Sequence, residues 1–464
     1  MTEEKDKSFY KMVIALVLPM ALQNLINVAV TSADVIMLGK VSETALSASS
    51  LAGQVQFVMT LFFFGITSGA AVLTAQYWGK KDIRTIEKIL GIALRIGLIV
   101  AVLFTSAVLI FTKQVMSIFT KEQDVIVEGV KYLRIIAPTY IMCAISMVYL
   151  NIMRSVERVM ISTIVYLISL VLNVILNSIF IFGLFGFPEL GIQGAALATL
   201  CARAVELTIV IVYAKCCNKT VELHLKDVVT RDAQLFKDFM RYALPVIVNE
   251  LFWGAAGAMN TVIIGHIGKS VVAANSVAQV ARQLATVIAF GIANAAAIMI
   301  GKAIGENDQA KAKLYGKKFI WLSTYAGVLG ALVILFIVRP VALSSLELTA
   351  NAQEYLKVML FVMSYFVIAQ AINTTFVVGI FRAGGDTNFG LIIDVATMWG
   401  GSILLGALAA FVFKLPVPVV YVLLMCDEVI KLPLTFWRYK KMKWLRNVTR
   451  VESGLNTASL ESAM

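Results

Sequence analysis

Residues 18–39, LPMALQNLINVAVTSADVIMLG, and residues 244–265, LPVIVNELFWGAAGAMNTVIIG, are one segment met twice. Pro19 falls on Pro245, Leu25 on Leu251 and Gly39 on Gly265, a constant offset of 226. The register then holds without a gap. Ala52 falls on Ala278, Thr60 on Thr286, Gly65-Ile66 on Gly291-Ile292, Ala70-Ala71 on Ala296-Ala297, Gly79 on Gly305 and Asp82 on Asp308. An internal duplication in a strongly apolar chain is the mark of a transporter, because two similar halves can rock about a site at their interface.

The apolar character is pronounced. Hydrophobic residues make up 59% of the 464 and charged residues 15%, with a mean hydropathy of +0.85. A soluble chain averages about 45–50% and about 25%. The apolar runs are long enough to cross ~30 Å of hydrocarbon. Twelve are expected, at roughly 11–37, 46–76, 89–112, 125–152, 161–183, 190–214, 242–264, 271–300, 318–338, 355–380, 388–412 and 417–437. Runs of this length are helices, since barrel strands would be about ten residues long and alternating. The fold class is therefore an all-α integral membrane protein, with twelve transmembrane helices in two six-helix lobes. The lobes are residues 1–214 and 242–440, joined by a linker at 215–241 and followed by a tail at 441–464.

Orientation follows from the basic residues. One set of connections carries 27 Lys and Arg and the opposite set six, so both termini are expected in the cytoplasm of a multi-pass cell-membrane protein. The net charge of +12 belongs to span ends, and no nucleic-acid partner is expected. The short N-terminus, of mixed charge, does not resemble a cleaved signal, and the first span is expected to stay as an anchor. The linker is expected to hold an amphipathic surface helix with Val221, Leu225, Val228 and Val229 on one side. The residues after Arg450 are polar and small, and read as disordered. Five scattered cysteines suggest neither a disulfide framework nor a redox site, and His224 and His266 have no metal-ligand spacing. No cofactor is expected.

Several motifs resemble the multidrug and toxic compound extrusion (MATE) family. Ala33-Asp34-Val35-Ile36-Met37-Leu38-Gly39 resembles the Asp-x-x-x-x-Gly end of that family's first helix. Ala75-Gln76-Tyr77-Trp78-Gly79 and Gly301-Lys302-Ala303-Ile304-Gly305 resemble the paired ends of its helices two and eight. Leu150-Asn151-Ile152-Met153-Arg154 and Gly379 to Thr387 resemble the Arg-containing turns after helices four and ten, and Pro188 to Thr199 the loop into helix six. Together they cover most of residues 10–440 in order. The resemblance implies a cation-coupled antiporter, driven by H+ or Na+, that exports amphiphilic organic cations. The expected partners are those cations and membrane lipids, and the expected state is a monomer.

Ionisable groups at membrane depth are functional candidates by default. Asp34 lies five residues before Gly39, and its repeat partner is Asn260. It is expected to bind the coupling ion and release it as the lobe changes shape; the bland reading is a carboxyl satisfied by neighbours such as Thr31 and Ser32. Asn173 and Asn177 stand one turn apart on helix five, Thr199 adds a hydroxyl on helix six, and Asn151 ends helix four. These oxygens suit Na+ or a protonated carboxyl, or serve as hydrogen bonds between helices. Many members of the resembled family carry an Asp where Asn177 stands here.

In the second half, Glu250 lies near mid-depth of helix seven, with Asn24 as its repeat partner. Some of the family use an acid here with an Asp on helix ten, which falls on Ala371 in this chain. Arg282 on helix eight is expected to neutralise Glu250, and Asp394 on helix eleven to face the inner vestibule. The pairs Arg203–Glu206, Glu428–Lys431 and Asp427–Lys431 have helical spacing and read as structural. Nineteen methionines would suit a pliable pocket. Among rivals, a lipid-linked oligosaccharide flippase of the wider superfamily would have more spans and a more basic cavity. An enzyme would need a nucleophile with a base or a metal cluster, and a channel would need a repeated pore loop.

Overall fold

The computed structural model describes residues 2–229, 232–345 and 349–450. The expected tail after Arg450 lies outside the described residues. All described elements are helical. They are α1 (Thr2–Gly39), α2 (Glu43–Lys80), α3 (Ile83–Ile110), α4 (Gln123–Ile136 with Thr139–Ser155), α5 (Val159–Phe182) and α6 (Gly191–Cys217). The second half repeats them as α7 (Ala233–Ile267), α8 (Lys269–Gly305), α9 (Gln309–Ser344), α10 (Ala350–Phe381), α11 (Thr387–Val412) and α12 (Val417–Leu424 with Asp427–Lys440).

Ten of these are single helices apolar enough to cross a membrane, and the bent pair in α4 makes eleven. The bend of 52° falls where Pro138 removes a backbone donor. The twelfth, α12, breaks at Met425-Cys426, and its second part buries Asp427, Glu428 and Lys431. These three charges make its composition less apolar than its neighbours'.

The repeat has a local cause at its second landmark. Asp82 and Asp308 are equivalent, and each caps the next helix, accepting from Thr85 N–H (3.0 Å) and Lys311 N–H (2.9 Å). A capping carboxylate satisfies one orphan donor of the first helical turn. The linker departs from expectation. Among the described residues its helix is Leu225–Val229, with Val221 buried before it and Val229 78% exposed. Val221 therefore lies outside the helix expected to carry it, and α7 starts at Ala233, where Asp232 accepts from Leu235 N–H (3.0 Å).

The two lobes meet at one end, near Gly79 and Gly305. Gly65 of α2 lies on Ile247, Gly69 on Ala243, and Gly301 of α8 on Ala75. A Cβ on Gly305 would collide with the Gln76 carbonyl, and one on Gly79 with the Lys302 carbonyl. Absent side chains let the helix backbones touch. An ion pair joins the lobes at the same end: Lys302 Nζ donates to Glu157 Oε2 (2.8 Å), which also accepts from Trp78 Nε1 (3.1 Å).

The chain beyond α12 completes this closure. Trp444 is fully buried and stacks on Tyr439. Gln76 donates to Ala383 O (2.7 Å) and Arg446 O (3.1 Å) and accepts from Val448 N–H (2.8 Å). Asn447 donates to Asn307 Oδ1 (2.7 Å). Residues 444–450 thus form a strap from α12 across to α2, with Arg450 held by Asp238 of α7 (2.6 Å).

Candidate functional site: a cavity between the lobes and a polar chain beside it

Away from the closed end, the helices part around a cavity of about 620 Å³. Its wall comes from both halves, chiefly α1, α2, α4, α7, α8 and α10. Phe57, Phe64 and Trp253 line it and are each more than 40% exposed, so it is open. Its floor is polar and buried, with Thr67, Asn249, Arg382 and Asn373. No methionine lines it among the described residues. The expectation of a methionine pocket fails because many methionines, such as Met59, Met299 and Met363, are buried in the helix cores.

Asp34 is not on the cavity wall. Asn177 Nδ2 donates to Asp34 Oδ1 (2.5 Å) and to Asn173 Oδ1 (3.1 Å), and Asn173 Nδ2 donates to Thr199 Oγ1 (3.3 Å). Four of the five residues singled out in the first half therefore form one polar chain through α1, α5 and α6. Asn173 and Asn177 share a face because they are one helical turn apart. The Thr31 hydroxyl turns back to Asn27 O (3.1 Å) and is not the carboxyl's partner. Asn177 Oδ1 is buried with no hydrogen-bond donor, an acceptor left open beside a carboxylate. Asn151 stands apart: it donates to Met147 O (2.7 Å) and lines the cavity.

Glu250 and Asp394 both line the cavity. The expected Glu250–Arg282 pair does not form. Arg282 Nε donates to Gln279 Oε1 (2.8 Å), one turn back on its own helix. Arg282 lies five residues nearer the Lys269 end of α8 than its midpoint, a shift of ~7.5 Å at helical rise, while Glu250 is at the midpoint of α7. The partner is Arg382, beyond α10, whose Nη2 donates to Glu250 Oε1 (2.9 Å) and whose Nη1 donates to Ser68 Oγ (2.8 Å). Arg382 follows a π-helical stretch, Thr375–Phe381, and such stretches are frequent at functional sites.

Lys431 was legible as the partner of Glu428 and of Asp427 on its own helix. The structure adds Asp394, whose Oδ1 lies 2.8 Å from Lys431 Nζ, with Glu428 Oε1 at 3.3 Å. Asn249 Nδ2 donates to Asp394 Oδ2 (2.8 Å), and Asn373 Nδ2 to Glu428 Oε2 (2.8 Å). Buried charges stand only when paired and hydrogen-bonded, and each member here is. The Asp394–Lys431 contact crosses helices, and no sequence spacing announces it. Arg203 and Glu206 do pair within α6 (2.7 Å), as their spacing suggests. No cluster of three metal ligands occurs among the described residues.

A family model described as MatE matches residues 19–179 and 245–408, one segment in each half. Among curated proteins, the chain is 27% identical over 401 residues to a probable multidrug resistance protein NorM of Rhizobium meliloti, covering 84% of each. It is 24% identical over 463 residues to the probable multidrug resistance protein YoeA of Bacillus subtilis, covering 97% of this chain and 98% of that one. Among solved structures, one described as MATE in the bent conformation superposes with a TM-score of 0.85 at 18% identity, over 94% of this chain and 96% of the other. At that identity the likeness bears on the fold. The repeat, the two lobes around one cavity and the match across both halves agree: the chain belongs to the MatE family, the multidrug and toxic compound extrusion transporters of the membrane.

Proposed function

We propose that this protein is a secondary active efflux pump that exports amphiphilic organic cations in antiport with H+. Na+ is the alternative coupling ion. The excess of Lys and Arg at the closed end, including Lys80, Lys81, Lys302, Lys440 and Lys441, supports a cytoplasmic location for that end. The cavity then opens outward and the described strap lies inside. Exposed aromatic faces at Phe57, Phe64 and Trp253 suit flat apolar bodies, and Glu250, Asp394 and Glu428 supply negative charge.

The observation that carries the reading is the chain Asp34–Asn177–Asn173–Thr199, whose asparagines are buried and whose Asp34 and Thr199 are half-buried, off the cavity wall. A carboxylate there accepts from Asn177. A protonated Asp34 gains a donor, and the open Asn177 Oδ1 becomes its acceptor once the amide turns over. That exchange reorders the contact between α1 and α5. The same α1 contributes Asn24, Asn27 and Val28 to the cavity wall, so protonation and substrate act on one helix. Because Asp34 and the cavity share no wall residue, ion and substrate couple through conformation, as antiport requires. The lean to H+ over Na+ rests on the amide protons of Asn177, which face both Asp34 and Asn173 and leave few oxygens turned to one point.

The test uses purified protein in liposomes. Ethidium movement driven by an imposed pH gradient in sodium-free buffer is the expected result. Movement that needs a sodium gradient with the pH gradient collapsed would replace H+ by Na+. No movement under either gradient would overturn antiport.

A further inference from the structure

The duplication places two arginines at equivalent ends, Arg154 in the last turn of α4 and Arg382 just after α10, and both reach the cavity. They differ in one respect. Arg382 has Glu250 at 2.9 Å. Arg154 has no carboxylate within ion-pair distance among the described residues. Its Nη2 donates to Gln23 Oε1 (2.9 Å), and its buried Nε has no acceptor. The reason is in the repeat: the position equivalent to Glu250 is Asn24, which also lines the cavity.

Gln23 is 2% exposed and commits its amide nitrogen to Ser162 (2.6 Å) and Thr163 (2.8 Å). Its oxygen is thereby fixed toward Arg154 and holds the guanidinium in place without neutralising it. The cavity is therefore divided by sign. Its C-terminal half carries Glu250, Asp394 and Glu428 against Arg382 and Lys431, and its N-terminal half carries Arg154 alone. A guanidinium offers a planar fork of donors that matches a carboxylate, and such charge-assisted bonds are the strong ones.

We propose that Arg154 is an anion-recognition residue that binds the carboxylate of amphiphilic substrates, so that zwitterionic amphiphiles lie across the cavity with their cationic end toward Asp394 and Glu428. This rests on the efflux reading above and deepens it. A structural role, in which Arg154 only completes the end of α4, makes no distinction between substrates with and without the carboxylate.

The experiment uses rhodamine 110, which has a free carboxylate, and its methyl ester rhodamine 123. Binding of each to the full-length protein in detergent is followed by fluorescence anisotropy, and gradient-driven transport of each in liposomes. The variants are Arg154→Gln and Arg154→Lys. The expected result is a fall of at least about tenfold in the acid-to-ester affinity ratio in Arg154→Gln, with partial recovery in Arg154→Lys, which keeps the charge but loses the fork. The transport ratio follows the affinity ratio. An unchanged ratio in Arg154→Gln overturns the proposal. So does equal sensitivity of both dyes to replacing chloride with gluconate, which would show a free inorganic anion at Arg154. Absence of transport with the binding ratio intact in wild type would count against efflux and leave the anion site standing. Should Arg154→Gln not survive purification, the ratio in Gln23→Ala, which releases the guanidinium, is expected to fall in the same sense, and no fall there overturns the proposal.

Discussion

At the scale of residues, the molecule separates charges that serve each other from charges that await a partner. Glu250 and Arg382 serve each other across α7 and the turn after α10. Neutralising one member of a buried pair strands the other, at a cost of order 3 kcal/mol. Glu250→Gln and Arg382→Gln should each lower the thermal unfolding midpoint of purified protein, and the double variant should lose less than either. If the double variant loses the sum of the two, the pair is not a unit. Asp34 is different, because its partner Asn177 is neutral. Asp34→Asn removes the titratable charge and keeps the shape. Expression and unfolding midpoint should survive while gradient-driven export falls to the level of empty liposomes; full export in this variant would remove Asp34 from the mechanism. What could be read here from sequence was any polar group in an apolar run: Asp34, Asn173, Asn177, Glu250 and Asp394 all stood out. What could not be read was the partner. Arg382 and Lys431 find their acids across helices, where distance along the chain carries no information, whereas Arg282 looked the better match and lies at the wrong depth.

At the scale of elements, the length of the apolar runs made the spans legible, and ten single helices, or eleven with the bent pair in α4, are long and apolar enough to cross a membrane. The strap was missed. Residues 444–450 follow the last span in a basic, polar stretch and have the composition of a tail. Trp444 was the one signal, an indole with no reason to sit in a tail unless something buries it. Gln76 makes three hydrogen bonds to Ala383, Arg446 and Val448. At roughly 1 kcal/mol each, their loss can move a two-state ratio by up to about a hundredfold. Gln76→Ala should therefore shift the population toward a state open at the Gly79–Gly305 end, read as a longer spin-label distance between positions 81 and 306. An unchanged distance distribution would make the strap a passive covering. Gly305→Val should push the same way more strongly, because its side chain would meet the Gln76 backbone.

At the scale of the whole molecule, the account stands on an outward-opening cavity and on exchange. Orientation is checked by accessibility. With the five native cysteines replaced, Ser42→Cys should react with a membrane-impermeant maleimide on intact cells, and Asn307→Cys only after lysis. The reverse pattern would invert the molecule and the direction of transport. Exchange is checked most directly by letting substrate drive the ion. Liposomes holding the protein and a pH dye, in sodium-free buffer with no imposed pH gradient, receive ethidium outside. The account predicts that ethidium entry raises the internal pH, and that Asp34→Asn abolishes the rise. Ethidium entry through the wild-type protein with no change of internal pH would contradict proton antiport.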